Sequence, residues 1–530
     1  MKPQDKERVM VEVVQRVLDG WSRDERACEQ ALFDTLYFER QRIESERNRK
    51  LRREQSAFYD QIQARALKAD SGEQRELLKR IIRFFADEVA GHFDERVYHL
   101  ATRAVPVGLN LLLNALSPLS LIQQGPGGLS RLDDQLVISG ETEALKRLAG
   151  QGTTVLLPTH SSNLDSILVG YMLYRLGLPP YTYGAGLNLF SNKLIGFFMH
   201  HLGAYKVDRR KQAPIYKDVL KTYAGCTMEL GYHNLFFPGG TRSRSGAVEQ
   251  RLKKGLLGEA LRAYINNLAA GKPRPDVFVV PCTINYQLVL EAETLIDDYL
   301  KEVGKSRYII DDDEFSKPKR IFEFVSQLFS LESRIHLVLS QPLDVFGNPV
   351  DADGTSRDAR GRPVERRRYV EHDGRPVFDA QRDREYTREL GESVAAAYRR
   401  DVVLKPIHVI SDTVFRWLRE RNPELDLYRL LRTGGAEDSM PLTEAYRRAE
   451  HTLVDLRQRA AAGSIRLAPS LQTRDTVKVF SQALAHLKGY HRRPALERRG
   501  DRLHHIDRNL LLFYGNRLRQ LHPGSREATA

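Results

Sequence analysis

Cysteine is scarce in this 530-residue chain: Cys28, Cys226 and Cys282 stand far apart, and no Cys-x-x-Cys pair occurs. A disulfide framework and a zinc cluster are thereby disfavoured, and the chain reads as one for a reducing compartment. Long apolar runs are also missing. The N-terminus, Met1-Lys2-Pro3-Gln4-Asp5-Lys6-Glu7-Arg8, is charged from the start and lacks the apolar stretch of a signal peptide. An uncharged segment covers Ala104–Leu129, but its apolar part, Val105–Ile122, is interrupted by Pro106, Asn110, Asn114 and Pro118. A spanning helix needs about 20 mostly apolar residues. The segment therefore reads as a buried helical hairpin, with residence in a membrane interface as the alternative.

Acidic residues are the short side of the charge balance, 69 against 82 Lys and Arg, for a net charge of +13. With 41% hydrophobic and 28% charged residues the composition is globular, neither disordered nor collagen-like. The positive surplus suits an anionic partner: nucleic acid, an acidic membrane face or a phosphorylated substrate. Solubility alone accounts for it equally well. No stacking aromatics interleave with the basic runs and no recognition motif occurs, which argues against nucleic acid. His200-His201 and His504-His505 lack zinc-ligand spacing, and as helix neighbours they would point to different sides. No metal is expected.

Four regions follow from composition. Residues 1–130 form a helical region with almost no glycine in its first hundred residues. Arg40–Arg53 there is a charge run that reads as a solvated helix face, and Leu77, Ile81, Phe84, Phe85 and Val89 form an amphipathic stripe. Gly125-Pro126-Gly127-Gly128 marks a break; it lacks the preceding strand and following Lys of a phosphate loop. Over 131–350 short β-rich runs (Thr153–Leu157, Leu235–Phe237, Val277–Val280, Ile335–Leu339) alternate with amphipathic stretches at Ile215–Leu230 and Leu256–Leu268. This predicts an α/β core with a central, largely parallel or mixed sheet flanked by helices. Residues 351–383 are a polar excursion, with Gly361-Arg362-Pro363-Val364 and Gly374-Arg375-Pro376-Val377 as two turns. Residues 384–530 return to helix, with an apolar stripe at Val409, Ile410, Val414, Phe415 and Leu418 and a disordered tail from Pro523 to Ala530.

The strongest local signal is Pro158-Thr159-His160-Ser161-Ser162-Asn163-Leu164-Asp165. An apolar strand ends, a histidine follows, and Ser161, Ser162 and Asn163 read as helix-capping residues. His160 then sits at a strand-to-helix junction, the usual edge for ligands in an α/β sheet. Asp165, in the first helical turn, reaches back to fix the imidazole as a general base. A capping histidine paired with an aspartate explains this block equally well when it is taken alone.

A second block raises the odds. Phe236-Phe237-Pro238-Gly239-Gly240-Thr241-Arg242-Ser243-Arg244-Ser245-Gly246 also follows a strand and offers glycine amides, hydroxyls and two guanidiniums, the planar fork that fits a phosphate. A solvated basic loop is the default for Arg-x-Arg alone. Two further blocks are Gly203-Ala204-Tyr205-Lys206-Val207-Asp208-Arg209-Arg210, a short strand ending in an Arg pair, and Val279-Val280-Pro281-Cys282-Thr283-Ile284-Asn285-Tyr286, which reads as a core strand.

These four blocks, in chain order, resemble the glycerol-phosphate acyltransferase superfamily. Its blocks are His-x4-Asp, Gly-x-x-x-x-(Asp/Glu/Arg)-Arg, Phe-Pro-Glu-Gly-Thr-Arg-Ser or Glu-Gly-Gly-Arg-Ser-Arg-Thr-Gly, and an apolar Val/Ile-Pro. The likeness is nearest to the bacterial membrane-bound glycerol-3-phosphate acyltransferases, through Arg242-Ser243-Arg244-Ser245-Gly246 and through Lys254-Gly255, where that branch has Lys-Thr-Gly. It covers roughly residues 90–430.

The resemblance implies acyl transfer from acyl-CoA or acyl-ACP to the sn-1 hydroxyl of glycerol 3-phosphate, with no cofactor. By the same implication His160 is the base and Asp165 orients it. Arg209, Gly240, Thr241, Arg242, Ser243, Arg244 and Lys254 bind substrate, and Gly203 and Pro281 shape the pocket. Lipid product and anionic substrates together imply a peripheral or monotopic protein on the cytoplasmic face of the inner (plasma) membrane. It would contact lipid through 105–122 or Leu189–Leu202, whose Phe190, Leu194, Ile195, Phe197, Phe198 and Met199 read equally as a core-packing helix.

One departure stands out: Gly239 occupies the position where the family carries Glu. It opens two alternatives. One is a different acceptor, lysophosphatidate or dihydroxyacetone phosphate. The other is an inactive acyltransferase-like module that binds lipid or acyl carrier protein.

Overall fold

The computed structural model describes residues 1–100, 102, 135–187, 197, 200–303 and 334–521. Val105–Ile122, Gly125–Gly128, most of Leu189–Leu202 and the tail after Pro523 lie outside the described residues.

Four helices open the chain: α1 (Pro3–Trp21), α2 (Glu25–Glu44), α3 (Arg49–Ala66) and α4 (Ser71–Val89). Each of the last three starts at an Asp or Asn whose side chain accepts a first-turn N–H, at Asp24, Asn48 and Asp70. The stripe on α4 is buried at Leu77, Ile81, Phe85 and Val89. The Arg40–Arg53 run departs from expectation in two ways. The helix breaks inside it, between α2 and α3. Arg42 is also buried, its Nη2 2.8 Å from Glu39 Oε2, because helix packing encloses that face and the pair neutralises itself.

The α/β core follows in the order β1 (Leu136–Gly140), α5 (Thr142–Gln151), β2 (Thr153–Pro158), α6 (Asp165–Arg175), β3 (Thr182–Gly186), β4 (Ala204–Val207), α7 (Pro214–Glu229), β5 (Asn234–Leu235), α8 (Lys254–Ala269), β6 (Val277–Asn285), α9 (Ala292–Val303) and β7 (Ile335–Leu339). The sheet order is β1-β7-β6-β2-β5-β3-β4. Every neighbouring pair is parallel except β6–β7. The sheet is therefore mixed and mostly parallel, as the alternating pattern predicts.

β2 and β6 are buried at every position, as strands covered on both faces must be. Pro281 is tolerated inside β6 for a local reason. Its carbonyl accepts the Ser340 N–H (2.9 Å), so its nitrogen faces the same side, just before the β6–β7 ladder begins at Cys282. The predicted strand Leu235–Phe237 shrinks to β5, because the chain turns at Phe237 into the glycine pair.

Both turns of the excursion form, with Gly361 (φ 77°) and Gly374 (φ 72°) left-handed, and the second closes a hairpin between Glu371–His372 and Arg375–Pro376. The remaining helices are α10 (Ala380–Asp401), α11 (Pro406–Arg421), α12 (Leu427–Thr433), α13 (Leu442–Ala461), α14 (Pro469–Gln472), α15 (Thr476–Gly489) and α16 (Arg508–Arg519). The stripe on α11 is wholly buried. His504 and His505 lie on a strand, Arg502–His505, and not on a helix; alternation sends His505 into the core. No helix among the described residues is long and apolar enough to cross a membrane.

Candidate active site

The C-terminal end of β2 delivers His160 to a short loop before α6. Its Nδ1 lies 2.8 Å from Asp165 Oδ2. Asp165 is fully buried, and its carboxylate also accepts the N–H of Ser161 (2.6 Å), the N–H of Ser162 (2.9 Å) and the Tyr286 hydroxyl (2.5 Å). Four donors define one carboxylate orientation. With Nδ1–H donating to it, the other ring nitrogen, Nε2, carries the lone pair. Phe237 stacks on the imidazole, centroids 4.1 Å apart.

Burial, with Arg242 and Arg209 pushing the same way, lowers the His160 pKa against the opposing pull of Asp165. The imidazole is therefore neutral at neutral pH, the state a base requires.

The capping expectation is met only in part at this loop. The residue preceding α6 is Leu164, without a side-chain cap. Asp165 instead bonds backward to the loop amides. The Ser162 hydroxyl donates to Glu291 Oε2 (2.8 Å) and the Asn163 N–H to Glu291 Oε1 (3.0 Å). The same hydroxyl accepts the Leu164 N–H (3.2 Å), so Ser162 serves the start of the helix while Glu291 holds its hydrogen.

The Gly239–Gly246 loop is sewn to His160. Ser243 N–H donates to the His160 carbonyl (2.7 Å), and His160 N–H donates to Glu249 Oε1 (2.7 Å). The Ser243 hydroxyl turns back to Ala247 O (2.6 Å), so the residue acts here through its backbone. Gly240 is left-handed (φ 77°), and its carbonyl accepts from the Arg209 guanidinium. Thr241 is partly buried in the same turn.

Burial, then Arg242, then Arg244 hold the Arg209 pKa below its usual value. Arg209, Arg242 and Arg244 thus feel one another's charge, and the first two also act on His160. Arg242 Nη1 is 3.3 Å from Glu291 Oε1, and Arg244 Nη1 is 2.6 Å from Glu302 on α9. A cluster of like charges beside a neutral imidazole suits a bound anion.

The other expected residues are placed differently. Lys254 stands exposed at the start of α8, beside Glu385; it is Lys253 whose side chain crosses Gly240, within 2.6 Å of where a Cβ would sit. Gly203 is left-handed (φ 85°) and its N–H donates to His92 O (2.8 Å), so it fixes β4 to the end of the N-terminal helices. Pro281 pairs with Leu157 at the base of the loop that carries His160. Arg210 turns to Asp208 and Glu46, and Lys211 is buried against Glu39 (2.9 Å) and Glu88 (2.8 Å), so the N-terminal helices anchor the segment that carries Arg209.

The C-terminal region also reaches the site. Arg517 of α16 is buried, donating to Ile284 O (3.0 Å) and approaching the Ser161 hydroxyl (3.4 Å). Gly246 (φ 78°) lies so close to α16 that a Cβ would fall 2.1 Å from Phe513 O. Tyr286, Glu249, Glu291, Lys253 and Arg517 were missed by sequence reasoning. Tyr286 ends a quoted block, Glu249 and Lys253 lie just past the Gly239–Gly246 block without a motif to mark them, and Glu291 and Arg517 are distant in sequence.

Residues 138–285, which hold the four blocks up to Asn285, match the Acyltransferase family. Among curated relatives, a glycerol-3-phosphate acyltransferase of Pseudomonas syringae pv. tomato is 28% identical over 51% of this chain and 29% of its own length. One from Pseudomonas putida is 28% identical over 54% of this chain and 32% of its own. The chain thus spans about three tenths of the length of the curated relatives it matches. A solved 1-acyl-sn-glycerophosphate (LPA) acyltransferase from Thermotoga maritima aligns over 56% of this chain and 91% of that one, with TM-score 0.25 and 14% identity, too loose a fit to argue from. The resemblance to the glycerol-3-phosphate acyltransferases drawn from the four blocks is borne out by the family match and the named relatives.

Proposed function

We propose that this acyltransferase domain moves a fatty acyl group from a thioester of coenzyme A or acyl carrier protein to the sn-1 hydroxyl of glycerol 3-phosphate, giving lysophosphatidate. The observation that carries the reading is the His160–Asp165 pair beside a cluster of three arginines. His160 Nε2 takes the hydroxyl proton as the oxygen attacks the thioester carbonyl. Asp165 stabilises the imidazolium that forms. The tetrahedral intermediate collapses, the C–S bond breaks, and the imidazolium returns its proton to the departing sulfur. Arg209, Arg242 and Arg244 bind the acceptor phosphate; the mutual repulsion among them is relieved when a dianion arrives. No cofactor takes part.

The protein works peripherally on the cytoplasmic face of the inner membrane. A net charge of +13 supports this, since it favours an anionic leaflet as well as anionic substrates. Quantitative recovery in a salt-washed soluble fraction would refute membrane attachment.

The reaction is tested by thiol release from palmitoyl-coenzyme A in lipid vesicles, with glycerol 3-phosphate, wild type beside His160→Ala. Release that needs the acceptor and disappears in the variant supports the reading. Release with lysophosphatidate or dihydroxyacetone phosphate alone reassigns the acceptor. No release with any of the three acceptors and either donor leaves a binding module.

A further inference from the structure

Gly239 and Glu249 explain each other. A Cβ built on Gly239 would lie 2.9 Å from Glu249 Cγ and 3.4 Å from its Oε1. Gly239 is not left-handed, so its backbone accepts any residue; what excludes a side chain there is the Glu249 side chain lying in that space. From this position Oε1 accepts the His160 N–H at 2.7 Å. Oε2 is closed off from solvent and has no hydrogen-bond partner in another residue among those described. Burial pushes this carboxyl up to about 7, against the pull of Arg517. A carboxyl held at such a cost, on the backbone of the reacting histidine, calls for an explanation in the site.

We infer that Glu249 is a positioning residue of this active site, entering from ten residues further along the chain to fill the space that Gly239 leaves open and to clamp the His160 main chain. The clamp is two-sided. Glu249 takes the His160 N–H, and the Ser243 N–H takes its carbonyl, so both peptide groups of the base are fixed by one loop. Asp165 fixes the ring and the Ser161 and Ser162 amides that follow, but not the His160 N–H. Without Glu249 the N–H has no acceptor, the space beside Gly239 empties, and the imidazole can move relative to the arginine cluster. The Gly239 departure then marks a carboxyl delivered from another position, not a lost activity. This inference rests on the proposed acyl transfer.

The test compares Glu249→Ala, Glu249→Gln, Gly239→Glu and the double variant Gly239→Glu/Glu249→Ala. Glu249→Ala should lower kcat on the order of 10–100-fold, as misplacement of a reacting group does. KM for glycerol 3-phosphate should stay within about twofold, because the phosphate contacts remain. Glu249→Gln keeps an acceptor oxygen and should recover most of that loss. Gly239→Glu should be impaired by collision with Glu249, and the double variant should exceed it. A kcat for Glu249→Ala within about twofold of wild type overturns the inference. So does a double variant no more active than Gly239→Glu.

A readout free of turnover separates this inference from the functional reading. In protein labelled with 13C at histidine, the His160 imidazole resonance, identified by its loss in His160→Ala, should move in Glu249→Ala and return toward its wild-type position in Glu249→Gln. An unmoved resonance overturns the inference whatever the activity. Absence of turnover in wild type, with the resonance behaving as stated, overturns the functional reading alone.

Discussion

Replacing Asp165 by Asn removes one charge from the site and can leave three of its four hydrogen bonds in place. In the native protein Oδ2 accepts from His160 Nδ1, Ser161 N and Ser162 N, and Oδ1 accepts from the Tyr286 hydroxyl. An asparagine whose oxygen takes the Oδ2 position keeps the first three bonds. Its NH2 then faces the Tyr286 oxygen, which accepts equally well. The buried Tyr286 hydroxyl hydrogen then loses its acceptor, at a cost of about 1–3 kcal/mol, so the fold should survive with a lowered melting temperature. What disappears is the attraction between the carboxylate and the imidazolium that forms as the acceptor hydroxyl loses its proton. For charge centres ~4 Å apart at an effective dielectric of ~20, that attraction is about 4 kcal/mol. At 1.36 kcal/mol per decade, kcat should fall about a thousandfold. The assay is thiol release at saturating donor, with circular dichroism confirming the fold. A loss smaller than about tenfold in a folded variant would refute the claim that Asp165 stabilises a charged His160.

Three more outcomes are expected. Burial, Arg242 and Arg209 favour the neutral imidazole over the opposing pull of Asp165, so the acid limb of kcat/KM should have its midpoint below the ~6.5 of an ordinary histidine; a midpoint at or above that value contradicts the assignment. Gly240→Ala should be destabilised by about 1–2 kcal/mol in urea denaturation from the left-handed φ of 77° alone, with further loss from collision with Lys253 and reduced turnover, because the same turn carries Arg242. Lys405 is buried with its amine on Arg334 O (2.5 Å) and its pKa lowered to about 7, so the folded state binds fewer protons than the unfolded chain above that pH. Stability should therefore rise with pH from about 7 toward the ~10.4 of an unfolded lysine and be lost as pH falls back through that window; Lys405→Met should flatten the slope, and an unchanged slope would refute the burial argument.

The parts of the site legible in the sequence were those written in one stretch of chain. His160 and Asp165 sit at a strand-to-helix junction that any reader of apolar runs would place, and the glycine pair before Arg242 announces a turn. The alternation that predicts a mostly parallel sheet follows from strands buried on both faces, a property of each strand's own residues. Arg209 could be named from its block, but what draws Arg210 away from the site could not. Arg210 is drawn to Asp208 and Glu46, and Glu46 lies just past α2, far from that block in sequence.

The sequence by itself determined the His160–Asp165 pairing, the arginine supply and the class of fold, because short-range spacing and burial periodicity set them. Tertiary structure alone decided which partners share the site: Glu291 on the Ser162 hydroxyl and the Asn163 N–H, Glu249 on the His160 N–H, and the Tyr286 hydroxyl on Asp165. It alone brought Arg517 beneath the loop that carries His160 and Lys253, not Lys254, over Gly240. The physical reason is that a buried polar group takes whatever partner the packed fold brings within hydrogen-bond distance, and only the path of the backbone through three dimensions determines which residue that is.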